Sequence, residues 1–183
     1  MRFLGLLSML FLAVSTSAWA GGPLRTVEGV VTKVSDGDTL QVADRMGTKI
    51  KVRMYGIDAP ETQKGNKRTG TVSKPGQPYG EESFRALYSL VNGQHVRLDL
   101  MDVDQYGRTV SIVWLGRRNI NREMVATGNA WAYRQYLDRP HASEFIDAEE
   151  RARKARLGLW RQGKPQPPWE FRKSLKRPKN SWW

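Results

Sequence analysis

Residues 26–54 read TVEGVVTKVSDGDTLQVADRMGTKIKVRM, and their patterning decides the kind of fold to expect. Val27, Val30, Val31 and Val34 are β-branched. Leu40 and Val42 alternate with polar neighbours, as do Ile50, Val52 and Met54, so the stretch predicts three strands. Ser35-Asp36-Gly37-Asp38 reads as the turn between the first two, and Asp44 to Gly47 as the turn between the second and third. Two more strands are expected further on. Val96, Leu98 and Leu100 alternate with Arg97 and Asp99, and Val110, Ile112 and Trp114 alternate with Ser111 and Val113. In the last strand the even-numbered residues should form the buried side. Arg108 shares their parity, and at the strand's first position it should emerge at a barrel mouth rather than enter the core.

Helices are expected between and after these strands. Phe84, Leu87, Tyr88 and Val91 recur at helical spacing, with a stop near Asn92-Gly93. A short helix can start on Asn119 as its cap, bury Ile120 and Met124, and end at Gly128. A third can run from Ser143 to Gly158, burying Phe145, Ala148, Ala152 and Ala155 and leaving its Glu, Arg and Lys residues on a solvated face. The class is therefore α+β. Five strands with a helix between the third and fourth give the pattern of the OB-fold β-barrel, here with three α-helices.

Three segments lie outside this plan. Phe3 to Val14 is apolar, follows Arg2, and is succeeded by Ala18-Trp19-Ala20, the small-x-small pattern of a signal-peptidase site. Residues 1–20 are thus expected to be a signal peptide cleaved at about Ala20, leaving a secreted chain, periplasmic or extracellular, with no membrane attachment after cleavage. Thr62 to Pro78 is poor in apolar residues and reads as a long mobile loop. Residues 161–183 form a basic extension with seven basic residues, Glu170 as its single acid, four prolines and three tryptophans. A solvated tail anchored by Trp169 and a tail that touches nucleic acid are both open there. The main domain is accordingly residues 21–160, and monomer is the default state.

Composition narrows the chemistry. With no cysteine and only His95 and His141, thiol catalysis, disulfides and histidine-rich metal sites are excluded, so any metal must be held by oxygen. Setting Arg2 aside leaves 29 basic against 18 acidic side chains, a net of +11 that suits a polyanionic partner.

Three short segments gather ionisable side chains at strand ends. Asp36-Gly37-Asp38 can be simply a turn, or can offer carboxylates to a hard cation such as calcium. Arg53 falls on the polar face of its strand with Lys49 and Lys51. The run Gly56-Ile57-Asp58-Ala59-Pro60-Glu61 then places two carboxylates within one turn, stiffened by proline. A carboxylate for metal, another for water and an arginine for phosphate make a set suited to phosphodiester hydrolysis. The third segment, Asp104-Gln105-Tyr106-Gly107-Arg108, closes a hairpin.

Taken in order, VSDGDTL, VRMYGIDAPET, PYGEESF, DQYGR and MVATGNAWAY resemble the staphylococcal nuclease family, over about Val27 to Trp160. The resemblance implies a nuclease that hydrolyses phosphodiester bonds in DNA and RNA, leaving a 3′-phosphate and a 5′-hydroxyl. It implies calcium (Ca2+) bound by Asp38, Asp58 and the main-chain carbonyl of Ala59, with Asp36 as outer support. It further implies that Glu61 orients or deprotonates the attacking water and that Arg53 and Arg108 bind the scissile phosphate. Tyr106 and Tyr133 would line the nucleotide pocket. Gln105, where a lysine is common, and the longer basic loop after Glu61 depart from the family pattern around that pocket. The alternative is an OB-fold module that binds nucleic acid without catalysis, although Asp38, Arg53, Asp58, Glu61 and Arg108 are all present. The segment Pro167 to Lys173 resembles an extension of some bacterial family members. The tail as a whole is expected to raise affinity for long polyanions without touching the chemistry.

Overall fold

A computed structural model describes residues 22–176 other than 67, 139 and 140. The signal-peptide assignment to residues 1–20 and the tail tryptophans Trp182 and Trp183 therefore lie outside the described residues. The barrel strands are β1 (Arg25–Asp36), β2 (Thr39–Asp44), β3 (Lys49–Met54), β4 (His95–Val103) and β5 (Thr109–Leu115). They pair antiparallel in the order β3-β2-β1-β4-β5. The barrel closes where β3 meets β5 in parallel, with Val52, Arg53 and Met54 opposite Thr109, Val110 and Ser111. Helix α1 (Gly80–Val91) lies between β3 and β4, as expected, and α2 (Ile120–Ala126) follows β5. The side chain of Asn119 caps α2 by accepting from the Arg122 N–H at 3.0 Å.

The interior is filled by the alternating positions. Val31, Leu40, Val42, Val52, Met54, Val96 and Leu98 pack with Leu87 and Val91 of α1, Ile120 and Met124 of α2, and Phe145. One parity is reversed from the expectation. In β5 it is Val113, opposite Leu98, that joins this core, with Ser111 equally buried, while Val110 and Trp114 are half-buried. Arg108 therefore precedes the outer face of the strand, the same face that carries Arg53 opposite Val110. Both faces of β5 are largely covered, so hydrophobicity alone could not tell inside from outside.

Asn121 explains how α2 is fixed to the barrel. Its buried amide donates to the carbonyls of Tyr55 and Ser111, both at 3.0 Å, and its oxygen accepts from the Val113 N–H at 2.9 Å. Three main-chain groups near the barrel closure are satisfied by one side chain.

Four expectations are revised. Tyr88 is exposed, so the buried stripe of α1 is narrower than its periodicity suggests. Helix α3 spans His141–Lys154, which begins before Ser143 and leaves Ala155 exposed beyond its end. Its polar face is not wholly solvated either. Glu149 is buried and accepts from the Ala132 N–H at 3.0 Å, with Arg134 and Arg153 beside it. The segment after Glu61 contains a small hairpin, Lys64–Gly65 against Val72–Lys74. The tail, whose place was left open, forms helix α4 (Pro168–Lys176), docked on the barrel through Trp169 and Arg172. No helix among the described residues is long and apolar enough to cross a membrane.

Candidate active site

The site forms where three backbone segments are forced together. The turn between β1 and β2 packs so closely on α1 that a Cβ on Gly37 would lie 1.9 Å from the Ser83 hydroxyl. A Cβ on Gly80, at the start of α1, would lie 2.1 Å from the Glu61 carbonyl oxygen. Glycine at both positions lets the acidic turn, the helix start and the Glu61 segment touch. The segment itself is held by Ile57–Asp58, which pairs with Trp131–Ala132, and by Gln77, whose N–H donates to the Glu61 carbonyl at 2.8 Å.

Within this frame Asp38, Arg53, Asp58 and Glu61 converge as expected. Arg53 spans two carboxylates, with Nη1 2.5 Å from Asp38 Oδ2 and Nη2 2.8 Å from Asp58 Oδ1. Asp38 Oδ2 also accepts from the Ala59 N–H at 2.7 Å, and its Oδ1 from the Thr39 hydroxyl at 3.0 Å. Asp36 stands behind it, accepting from the Asp38 N–H and facing Lys64 at 3.3 Å. Glu61 carries a cation on each oxygen. Lys74 Nζ lies 2.6 Å from Oε2, and Arg172 Nη1 2.9 Å from Oε1. Arg172 also grips both oxygens of Asp58, with Nη2 2.7 Å from Oδ2 and Nη1 3.1 Å from Oδ1.

Burial and charge act against each other on these groups. Asp58 is wholly buried, which raises its pKa even though Arg172 and Arg53 pull the other way. Burial likewise pushes Asp38 up to about 6, with Arg53 opposing. For Glu61 burial works upward, but Lys74 and Arg172 outweigh it and hold the carboxyl below its usual range. Burial would weaken Arg53 and Arg172 as bases, yet their acidic partners leave both pKa values raised.

The remaining expected residues sit apart from this cluster in their contacts. Arg108 Nε donates to Asp104 at 2.7 Å, and its guanidinium lies over the Tyr106 ring, 5.6 Å from the centroid. Tyr106 is exposed. Tyr133 is half-buried beside Asp58, and the ring of Trp169 stacks on it at 5.1 Å with 3° between planes.

Three participants were missed. Lys74 was read as part of a mobile loop, Gln77 as its end, and Arg172 as part of a solvated tail. A signal for the last was present in the sequence. Pro167-Pro168 is a helix start, and a helix begun there puts Trp169 and Arg172, three residues apart, on one face. The tail was expected to act on affinity alone, and the structure places one of its side chains, Arg172, against Asp58 and Glu61.

The donor chemistry suits a hard cation: the converging groups are carboxylates, and two of them already share a positively charged guanidinium. Among the described residues, no three acidic or histidine side chains form a ready metal cage. The fit rests on oxygen chemistry and on the way these carboxylates crowd around positive charge.

Comparison with known proteins settles the kinship. A family model described as staphylococcal nuclease homologue matches residues 51–162. The chain belongs to the staphylococcal nuclease family. Its similarity extends to a micrococcal nuclease of Shigella flexneri, 35% identical over 178 residues that cover 92% of this chain and 91% of that one. A protein of Haemophilus influenzae described as an uncharacterized endonuclease is 38% identical over 146 residues, covering 80% and 73% of the two chains. A probable staphylococcal-like nuclease of Oryza sativa subsp. japonica is 37% identical over 128 residues, 70% of this chain but 30% of that longer one. The family match includes Arg53, Asp58, Glu61 and Arg108, while Asp38 precedes it and α4 follows it.

Proposed function

We propose that this staphylococcal nuclease family member is an exported, calcium-dependent endonuclease that hydrolyses phosphodiester bonds of DNA and RNA. The observation that carries this reading is the convergence of three buried acids in one cluster, Asp38 and Asp58 joined by Arg53 and Asp58 and Glu61 joined by Arg172. A binding module needs basic surface, but it has no use for three buried acids, which repel a polyanion and are costly to desolvate.

Asp38 and Asp58, with the Ala59 carbonyl, are the groups that would hold calcium, and Asp36 supports Asp38 from behind. When bound, calcium supplies positive charge to offset the charge that builds on the phosphate oxygens. Glu61, kept ionised by its depressed pKa, accepts a proton from the attacking water or aligns it through a carboxylate oxygen. Arg53 and Arg108 donate to the non-bridging oxygens and stabilise the crowded transition state. The water oxygen bonds to phosphorus, the P–O5′ bond breaks, and the 5′ oxygen takes up a proton. The phosphate then remains on the 3′ side. Tyr106 and Tyr133 serve the neighbouring nucleotide. The apolar leader with its Ala18-Trp19-Ala20 site supports export to the periplasm or the medium, and the working unit is a monomer.

The test is cleavage of heat-denatured DNA by residues 21–183 in calcium and in chelator, beside Glu61→Gln. Cleavage should need calcium and fall by about two to four orders of magnitude in the variant. A folded protein that binds the DNA but leaves it intact under every condition would make this a binding module instead.

A further inference from the structure

Helix α4 covers both halves of the site at once. Arg172 holds both oxygens of Asp58 and one of Glu61, and Trp169 stacks flat on Tyr133. The two side chains are three residues apart, so a single helical face delivers a cation to the carboxylates and an aromatic plane to the tyrosine.

Charge shows what this does. Three carboxylates, Asp38, Asp58 and Glu61, face three cations, Arg53, Lys74 and Arg172. The cluster is neutral as it stands. A divalent cation entering it would add two positive charges to a balanced set inside a poorly solvated site, which is strongly unfavourable. Arg172 leaving removes one positive charge from the cluster and frees Asp58 Oδ2, with Oδ1 left to Arg53 alone. Arg53 stays, because it is built into β3 of the barrel.

The docking is anchored beyond these two contacts, yet it is not extensive. Trp169 meets Trp131 edge-on at 5.6 Å, and the Gln77 amide donates to the carbonyl of Gln166. Pro168 is the buried residue of the helix, whereas Glu170, Lys173, Leu175 and Lys176 are exposed. A nine-residue helix that buries only Pro168, and is otherwise held by one ion-pair cluster and the two aromatic contacts of Trp169, is a detachable element rather than part of the barrel core.

We propose that α4 is a built-in competitive plug, with Arg172 occupying the place of the divalent cation and Trp169 the place of a nucleobase on Tyr133, so that the site opens only when the helix lifts away. The proposal rests on the reading that Asp58 belongs to a cation site. Binding of the cation and docking of the helix are then linked: each weakens the other by the same factor. Once released, the basic face of the helix is free to follow the backbone of a nucleic acid.

The experiment measures calcium binding by calorimetry, together with amide hydrogen exchange across residues 168–176, on the full exported chain and on Arg172→Ala. The substitution leaves the helix sequence otherwise intact, so folding is not at risk. Arg172→Ala should bind calcium about ten-fold or more tightly than the parent chain, since no fraction is held in the closed state. Saturating calcium should abolish exchange protection across 168–176 in the parent. Equal affinities with the helix still protected at saturation would overturn the plug and leave the calcium site standing. Failure of calcium to bind either chain would overturn the cation reading and the competition with it, and would set the calcium assignment apart as the faulty premise.

Discussion

Arg53 is the side chain on which the site depends, because one guanidinium neutralises two buried acids whose pKa values burial would otherwise raise further. Replacing it with glutamine should lower kcat by about two to three orders of magnitude, measured at saturating single-stranded DNA. Asp104 offers a test by pH. Burial works slightly upward on it, but hydrogen bonds from Arg108 and Tyr106 lower its pKa below the usual value. An acid lowered in the folded state binds fewer protons folded than unfolded. The order it confers on the 104–108 loop is therefore complete above about pH 4, the unfolded value, and is lost as pH falls through the lower folded one. Carbon NMR titration of Asp104, followed alongside Arg108 Nε–H, should show the two signals moving together in that acidic window. Part of this site was legible from residue types and spacing, since Arg53 lies near the end of β3 and Asp58 and Glu61 follow it within one turn, whereas Asp38 read equally as a plain turn residue until the family resemblance was added. Lys74 and Arg172 were not legible, because each reaches Glu61 across a sequence separation that no local pattern encodes.

Among the elements, the strands and the first two helices follow from alternation and capping, with Asn119 serving as the expected cap. The face of β5 did not, because Ile112 and Val113 are both buried and periodicity cannot rank two covered faces. Glu149 on α3 was equally hidden. A lone acid in a charged helix reads as solvated until the Ala132 N–H it satisfies is known. Asn121 makes the element-scale prediction. Asn121→Ala removes three hydrogen bonds to main-chain groups of β5 and the Tyr55 turn, of which only the Ser111 carbonyl keeps another donor, the Tyr55 N–H, and should cost about 3 kcal/mol in thermal or urea unfolding. The close approach of Gly80 to the Glu61 carbonyl shows that elements also position the site, since the start of α1 packs directly against the Glu61 backbone.

For the molecule as a whole, the decisive quantity is a formal charge of +12 on 183 residues. If that charge gathers substrate, KM for long single-stranded DNA should rise steeply between about 50 and 200 mM salt while kcat changes little. Steady-state kinetics across that range checks it, and a flat KM would assign the charge to another role. Closure of the barrel has a different consequence, for how one folded copy meets another. Each barrel strand finds both neighbours within its own chain, β3 meeting β5 at the seam. Among the described residues, a folded copy therefore offers no long strand edge on which a second copy could template itself. With no cysteine to cross-link wrongly, such a chain is suited to recovering its shape after unfolding rather than being lost to aggregates.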